Sequence, residues 1–207
     1  MEGTDIKEID GNYQKQYGLL ELIRAKKAES ISENIDGFIM QKYGKEGLLE
    51  EESKSHDPDL QCYLGLLAEK EENMEESWEW HEKSAGQGNV LSQWIFGRHY
   101  NARFGWTHKD EDLNKAIGWF EKASSQGDVL SSFELISCYE DRNGNEDFEK
   151  AVEVYEKLLA RNDESRVDVM GRLYNDIFCD AKSRKFRRRI RRRLKFFGII
   201  KKLQGRK

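Results

Sequence analysis

Residues 77–100, SWEWHEKSAGQGNVLSQWIFGRHY, return as residues 116–139, AIGWFEKASSQGDVLSSFELISCY. In register, Trp80 falls on Trp119, Glu82 and Lys83 on Glu121 and Lys122, Gln87 and Gly88 on Gln126 and Gly127, and Tyr100 on Tyr139. The alignment runs for 24 residues without a gap. A unit of this length is too small to bury its own apolar face. It becomes stable when copies lie side by side and each covers its neighbour.

The spacing inside each copy says what the unit is. Ser77, Trp80, His81, Ser84 and Ala85 in the first copy, and Ala116, Trp119, Phe120, Ala123 and Ser124 in the second, fall at i, i+3, i+4, i+7 and i+8. That is one face of a helix. Gly88 and Gly127 follow at the place where a left-handed residue ends a helix. A second helix then carries Ser92, Phe96 and Tyr100, matched by Ser131, Leu135 and Tyr139. Each unit therefore reads as a helix–turn–helix hairpin. Ala151, Val154, Tyr155, Leu158 and Leu159 repeat the first stripe, and Met170, Gly171 and Tyr174 the second; upstream, Gln61, Leu64 and Gly65 match Gln93, Phe96 and Gly97. One marker position of the second helix falls at Gly65, Gly97, Ile136 and Gly171, at intervals of 32, 39 and 35 residues.

The pattern A-x-x-W-(Y/F)-x-x-A-(A/S)-x-Q-G, followed by a small residue, L-G and Y, resembles the Sel-one-like repeat, a relative of the tetratricopeptide repeats. The resemblance is fullest across residues 77–97 and 114–139 and extends over residues 147–174. It implies an all-α fold: a right-handed α-α superhelix, or solenoid, of about four hairpins acting as a protein-interaction scaffold. Ile136, Arg166 and Ala68 depart from the pattern, which has glycine, a small residue and tyrosine at those places. Ile136 predicts a wider helix contact at its hairpin.

Three segments follow from this reading. Residues 1–44 form an N-terminal helical cap or degenerate repeat, with a helix over 13–27, a capping box at Ser30–Glu33 and a helix over 35–43. Residues 45–181 form the repeat solenoid, beginning with a hairpin of residues 45–55 and 58–72, in which Asp57 caps a helix that starts on Pro58. Residues 101–112 read as a linker, with Trp106 tucked under the hairpin as the resemblance implies. Residues 182–207 form a basic tail.

Charge separates the tail from the rest. Residues 1–181 carry a net −18 and residues 182–207 a net +14. Phe186, Ile190, Leu194 and Phe197 make an apolar stripe on a helix covered by Arg184, Lys185, Arg187, Arg188, Arg189, Arg191, Arg192, Arg193 and Lys195. A basic amphipathic helix binds anionic surfaces. Attachment to an anionic membrane and docking onto the acidic solenoid of the same or a neighbouring chain rank equally here. Nucleic acid, through the arginine run, ranks behind both.

Cys62, Cys138 and Cys179 lack paired spacing, which predicts reduced thiols. The opening residues MEGTDIKEIDG lack the charged and apolar regions of a signal peptide, so a cytoplasmic location is expected, peripheral on the inner membrane face where the tail binds membrane; a leaderless secreted effector would read the same. No catalytic, phosphate-binding or zinc motif occurs in the sequence. No catalytic residue, cofactor or metal is therefore expected; a small hydrolase on a repeat scaffold is the rival. His81 and His99 read either as a facing pair able to hold a metal or, for His81, as the aromatic core slot that Phe120 and Tyr155 fill elsewhere. For a protein or peptide partner in the solenoid groove, the candidate contacts are Trp78, Glu82, Glu121 and Glu156. Trp78 also reads as packing, at the place of Ile117 and Val152, and the glutamates as a solvated helix face.

Overall fold

A computed structural model describes Leu19, Leu20, Ile23, residues 35–142 and 144–160, Arg188 and Arg192. Among the described residues the regular structure is seven helices with no strand. They are α1 (Ile35–Ser55), α2 (Pro58–Lys70), α3 (Met74–Gly86), α4 (Val90–Thr107), α5 (Asp110–Ser125), α6 (Val129–Arg142) and α7 (Asn145–Ala160). Gly44, at φ 62° and ψ 171°, breaks α1 into two helical pieces. The second piece pairs with α2 as the sequence predicts. The proposed capping box at Ser30–Glu33, the hairpin helix bearing Met170, Gly171 and Tyr174, Cys179 and nearly all of the basic tail lie outside the described residues.

Two residues make most of the turns. The first takes a left-handed conformation, and the second caps the next helix. After α3, Gly88 lies at φ 98°, its N–H bonded to Ala85 O at 3.1 Å, while Asn89 N–H reaches Ser84 O at 3.1 Å. After α5, Gly127 lies at φ 93°, bonded to Ser124 O at 2.9 Å, with Asp128 N–H on Ala123 O at 3.3 Å. This is the Schellman pattern. Asn89 then accepts from Ser92 N–H at 3.0 Å, and Asp128 from Ser131 N–H at 2.6 Å, so each cap opens the next helix. The same device closes α2, but with Glu72 (φ 60°) in the left-handed place and Asn73 as cap. His56 (φ 48°) and Asp57 repeat it before α2.

Residues 101–112 are not a linker. Helix α4 continues to Thr107, and the turn is confined to His108, at φ 51°, and Lys109. Trp106 is not tucked away either; it is 87% exposed. The physical reason is helical phase. Phe104 points toward the core formed with α5 to α7, and a residue two positions later faces about 200° around the helix.

Helix contacts form two compact units, residues 1–93 and 94–207, dividing within α4. In the first, Leu19, Ile23, Ile39, Leu48, Leu60, Tyr63, Leu64 and Leu67 form the core, with Trp80 against it. In the second, Leu113, Phe120, Leu135, Ile136, Phe148, Val152, Tyr155 and their neighbours form the core. The predicted stripe residues Ala116, Phe120, Ala123, Ala151, Val154, Tyr155 and Leu158 are all buried. Cys62 and Cys138 are buried, and burial pushes the Cys138 thiol up to about 12.

The marker glycines explain how neighbouring helices meet. A Cβ on Gly65 of α2 would lie 2.8 Å from the His81 ring of α3. A Cβ on Gly97 of α4 would lie 2.5 Å from the Phe120 ring of α5. In each unit, then, a ring in the aromatic slot presses flat against a glycine of the preceding helix. Ile136 occupies the third marker position and is buried in the same core as Tyr155.

Two outcomes are expected. Gly97→Ala lowers unfolding free energy by about 1–3 kcal/mol, the usual cost of overpacking, and Gly97→Ala with Phe120→Leu recovers part of it in denaturant titrations. Glu72→Gly raises stability by roughly 0.5–1 kcal/mol, because a left-handed non-glycine residue is strained by more than glycine's added chain entropy.

Candidate functional site

The surface most strongly repeated between the two copies is a tryptophan capped by a lysine. Trp80 and Trp119 lie on their helices one residue before the buried ring of His81 or Phe120, so each indole is only half-buried. Lys83 and Lys122 stand three residues further on, which places them over the same helical face. The Lys83 ammonium sits 4.2 Å from the Trp80 ring centre and that of Lys122 3.9 Å from the Trp119 ring centre. Both lysines are in the last turn of their helices, where positive charge also complements the helix dipole.

The surroundings of the two indoles differ. Trp80 Nε1–H donates to Glu76 at 3.4 Å, and Glu76 also accepts from Lys45 at 3.2 Å and Asn73 at 2.9 Å. The Lys45 hydrogen bond, helped by those of Trp80 and Asn73, holds the Glu76 carboxyl below its ordinary value. In the second copy Lys115 stands where the first has Glu76, and Gly118 where the first has Glu79. Lys115 bonds Glu111 at 2.6 Å and lies 5.5 Å from the centre of the Tyr100 ring, from which the Arg103 guanidinium is 5.7 Å. Phe96 joins Tyr100 to Trp119, with ring centres 6.5 and 5.3 Å away. A Cβ at Gly118 would meet nothing within 4 Å, so a shallow open place lies beside Trp119. Tyr100, Arg103, Lys115, Trp119 and Lys122, from the end of the first copy to the first helix of the second, thus make a connected face.

Of the contacts expected from sequence, Trp78 is half-buried, and its equivalents Ile117 and Val152 are buried, in keeping with packing at that place. Glu82 and Glu121 are exposed and Glu156 is half-buried. Glu121 accepts a 2.7 Å hydrogen bond from Tyr139 Oη. Burial, reinforced by that carboxylate, raises the Tyr139 phenol above its ordinary value. Arg188 and Arg192 are helical and exposed, four residues apart and so on one helical face; the other expected tail contacts lie outside the described residues.

His81 fills the aromatic core slot and is 1% exposed. His99 is exposed, edge-on to Tyr100 at 5.4 Å. Partial burial, with Arg103 adding to it, lowers the His99 value. Among the described residues no three His, Cys, Asp or Glu side chains are grouped to hold a metal ion, and no helix is long and apolar enough to cross a membrane. Sequence reasoning named Trp80 and Lys83 as separate matches and passed over their pairing; the W-x-x-K spacing in both copies was the available signal.

No protein-family model matches the chain, and neither a curated protein nor a solved structure shows significant similarity to it.

Double-mutant cycles on Trp80/Lys83 and Trp119/Lys122 should each return a coupling of about 0.5–1 kcal/mol, the range for partly exposed cation–π pairs. Thermal or urea unfolding of the single and double alanine variants measures it.

Proposed function

We propose that this chain is a non-enzymatic adaptor of the Sel-one-like kind, in which stacked hairpins hold a protein or peptide partner and the basic segment 182–207 attaches the assembly to an anionic surface. The observation that carries the reading is the repeated tryptophan–lysine pair. Positions preserved between the copies fall mainly into turns and core, where folding alone accounts for them. Trp80–Lys83 and Trp119–Lys122 are preserved on a half-exposed face. Half-exposed tryptophans beside basic groups are the composition of binding anchors. The side chains around them change from Glu76 and Glu79 to Lys115 and Gly118. A constant anchor in a variable setting is how one framework adapts to a partner.

For the tail, the −18 and +14 division supports attachment to an anionic membrane or docking on an acidic face. At about 1 kcal/mol per basic residue near an anionic surface, half of the 14 would give firm, salt-sensitive attachment. The run Arg187–Arg193, broken only by Ile190, also supports phosphate contacts with nucleic acid, which would be steeply salt-dependent.

Two experiments test this. In affinity capture, Trp119→Ala and Lys122→Glu should lose a protein that the unaltered chain retains, while circular dichroism stays unchanged; equal capture by all three counts against the anchor. In flotation with phosphatidylglycerol vesicles at low salt, the full chain should rise and a chain ending at Ala181 should not. Flotation of neither, with retardation of random RNA by the full chain alone, replaces the membrane reading with the nucleic-acid one.

A further inference from the structure

The helical pair around His81 is sealed by a chain of hydrogen bonds whose direction is fixed. Pro58 O is a carbonyl, so Ser84 Oγ–H must donate to it, at 2.6 Å. Ser92 Oγ–H donates to Ser84 Oγ at 2.9 Å. Ser92 Oγ, 3.1 Å from His81 Nδ1, therefore accepts from an Nδ1–H. This sequence ties α2, α3 and the first turn of α4 together and sets the tautomer of the imidazole. It leaves Nε2 as a bare lone pair, buried and without a hydrogen-bond partner. The face of the ring lies against Gly65, whose added Cβ would lie 2.8–2.9 Å from Cε1, Nε2 and Cδ2.

Neutral, the ring loses one weak acceptor interaction. Protonated, it has a second N–H with no acceptor in reach, and a whole buried charge held against the backbone of α2 at Gly65. An unpaired buried charge costs far more than an unpaired lone pair.

We propose that the α2–α3 hairpin contact is an acid-sensitive clasp, in which protonation of His81 Nε2 forces α2 and α3 apart at Gly65 and opens the first unit. Among the described residues no carboxylate lies within hydrogen-bond reach of Nε2. From α2 come the Cys62 thiol and the phenol of Tyr63, the latter bonded to Asp36, and that helix's charged groups stand toward its ends: Asp59 takes a bond from Asn89, and Lys70 pairs with Asp36. The first turn of α4 brings no ionisable group. On α3 itself Glu82 and Lys83 are exposed. Burial alone lowers the imidazole, to about 4 from 6.5. The unfolded or opened form therefore binds the extra proton between those values. Stability is fully present above pH 6.5, falls as pH drops through the window, and levels off below about 4. In the second unit Phe120 occupies the same slot, so the first unit alone responds in this way.

The test is hydrogen exchange of the full chain from pH 7.5 to 4, corrected for the intrinsic chemistry. The opening constant of α2 and α3 amides should rise nearly tenfold per pH unit below 6.5, reaching about 150-fold at pH 4. Amides of α5 around Phe120 should lack that component, and His81→Phe should abolish it in α2 and α3. An unchanged slope in His81→Phe, or equal slopes in the two regions, overturns the proposal. Should that variant not fold, a titration of the His81 ring nitrogens in the unaltered protein decides: a midpoint near 6.5 with no loss of protection contradicts the clasp.

Discussion

The contact between a marker glycine and the aromatic slot of the next helix is the constraint on which the rest of the structure depends. A hairpin of two short helices exposes an apolar face that it cannot cover alone. Removing the Cβ at Gly65 and Gly97 lets a whole ring lie against backbone, and that brings helices close enough for the smaller residues to meet. Ser84, Ala116, Ala123 and Ala151 are all fully buried. These short side chains fill no space of their own; they permit the approach that His81 and Phe120 then fill. Burying a phenylalanine contributes roughly 1.5–3 kcal/mol, so the Phe120 slot is a principal source of cohesion in the second unit.

Turn geometry sets the hairpin pitch that this contact requires. A left-handed residue followed directly by an Asn or Asp cap reverses the chain with almost no loop, as at Gly88–Asn89 and Gly127–Asp128. The capping side chain satisfies amides that the new helix leaves orphaned. Where the left-handed place holds Glu72 or His56, the same geometry persists with strain in the backbone. The caps and the glycine contacts therefore act together: one fixes where a helix starts, the other how near it comes to the last.

Much of this was legible in the residues. The stripe positions i, i+4 and i+7 marked the faces that are buried, with the i+3 tryptophans at their half-exposed edge, Asp57–Pro58 marked a helix start, and the Gln-Gly pairs marked helix ends. What escaped was set by tertiary packing or by short polar side chains. Nothing in Phe104–Gly105–Trp106 revealed that α4 would continue past Tyr100, because glycine within a helix costs only about 1 kcal/mol and core contacts of Phe104 outweigh it. The left-handed Glu72 and His108 carry no composition signal. The capping roles of Asn89 and Asp128 were readable, since each directly follows a helix-ending glycine. The pairing of Trp119 with Lys122 was readable in spacing but needed coordinates to show that the ring stays half-exposed.

Divergence between the copies also has a structural trace. Ser92 is bonded to His81, whereas its equivalent Ser131 has a buried hydroxyl with no partner, its histidine having become Phe120. The framework survives the exchange because the ring-on-glycine contact is kept. The most direct measurement is the proton NMR spectrum of the glycines. Close ring-on-glycine packing predicts strong upfield ring-current shifts of the Hα protons of Gly65 and Gly97, with cross-relaxation from Gly65 to the His81 ring and from Gly97 to the Phe120 ring. Glycine Hα protons at ordinary shifts, without those cross-peaks, would contradict it.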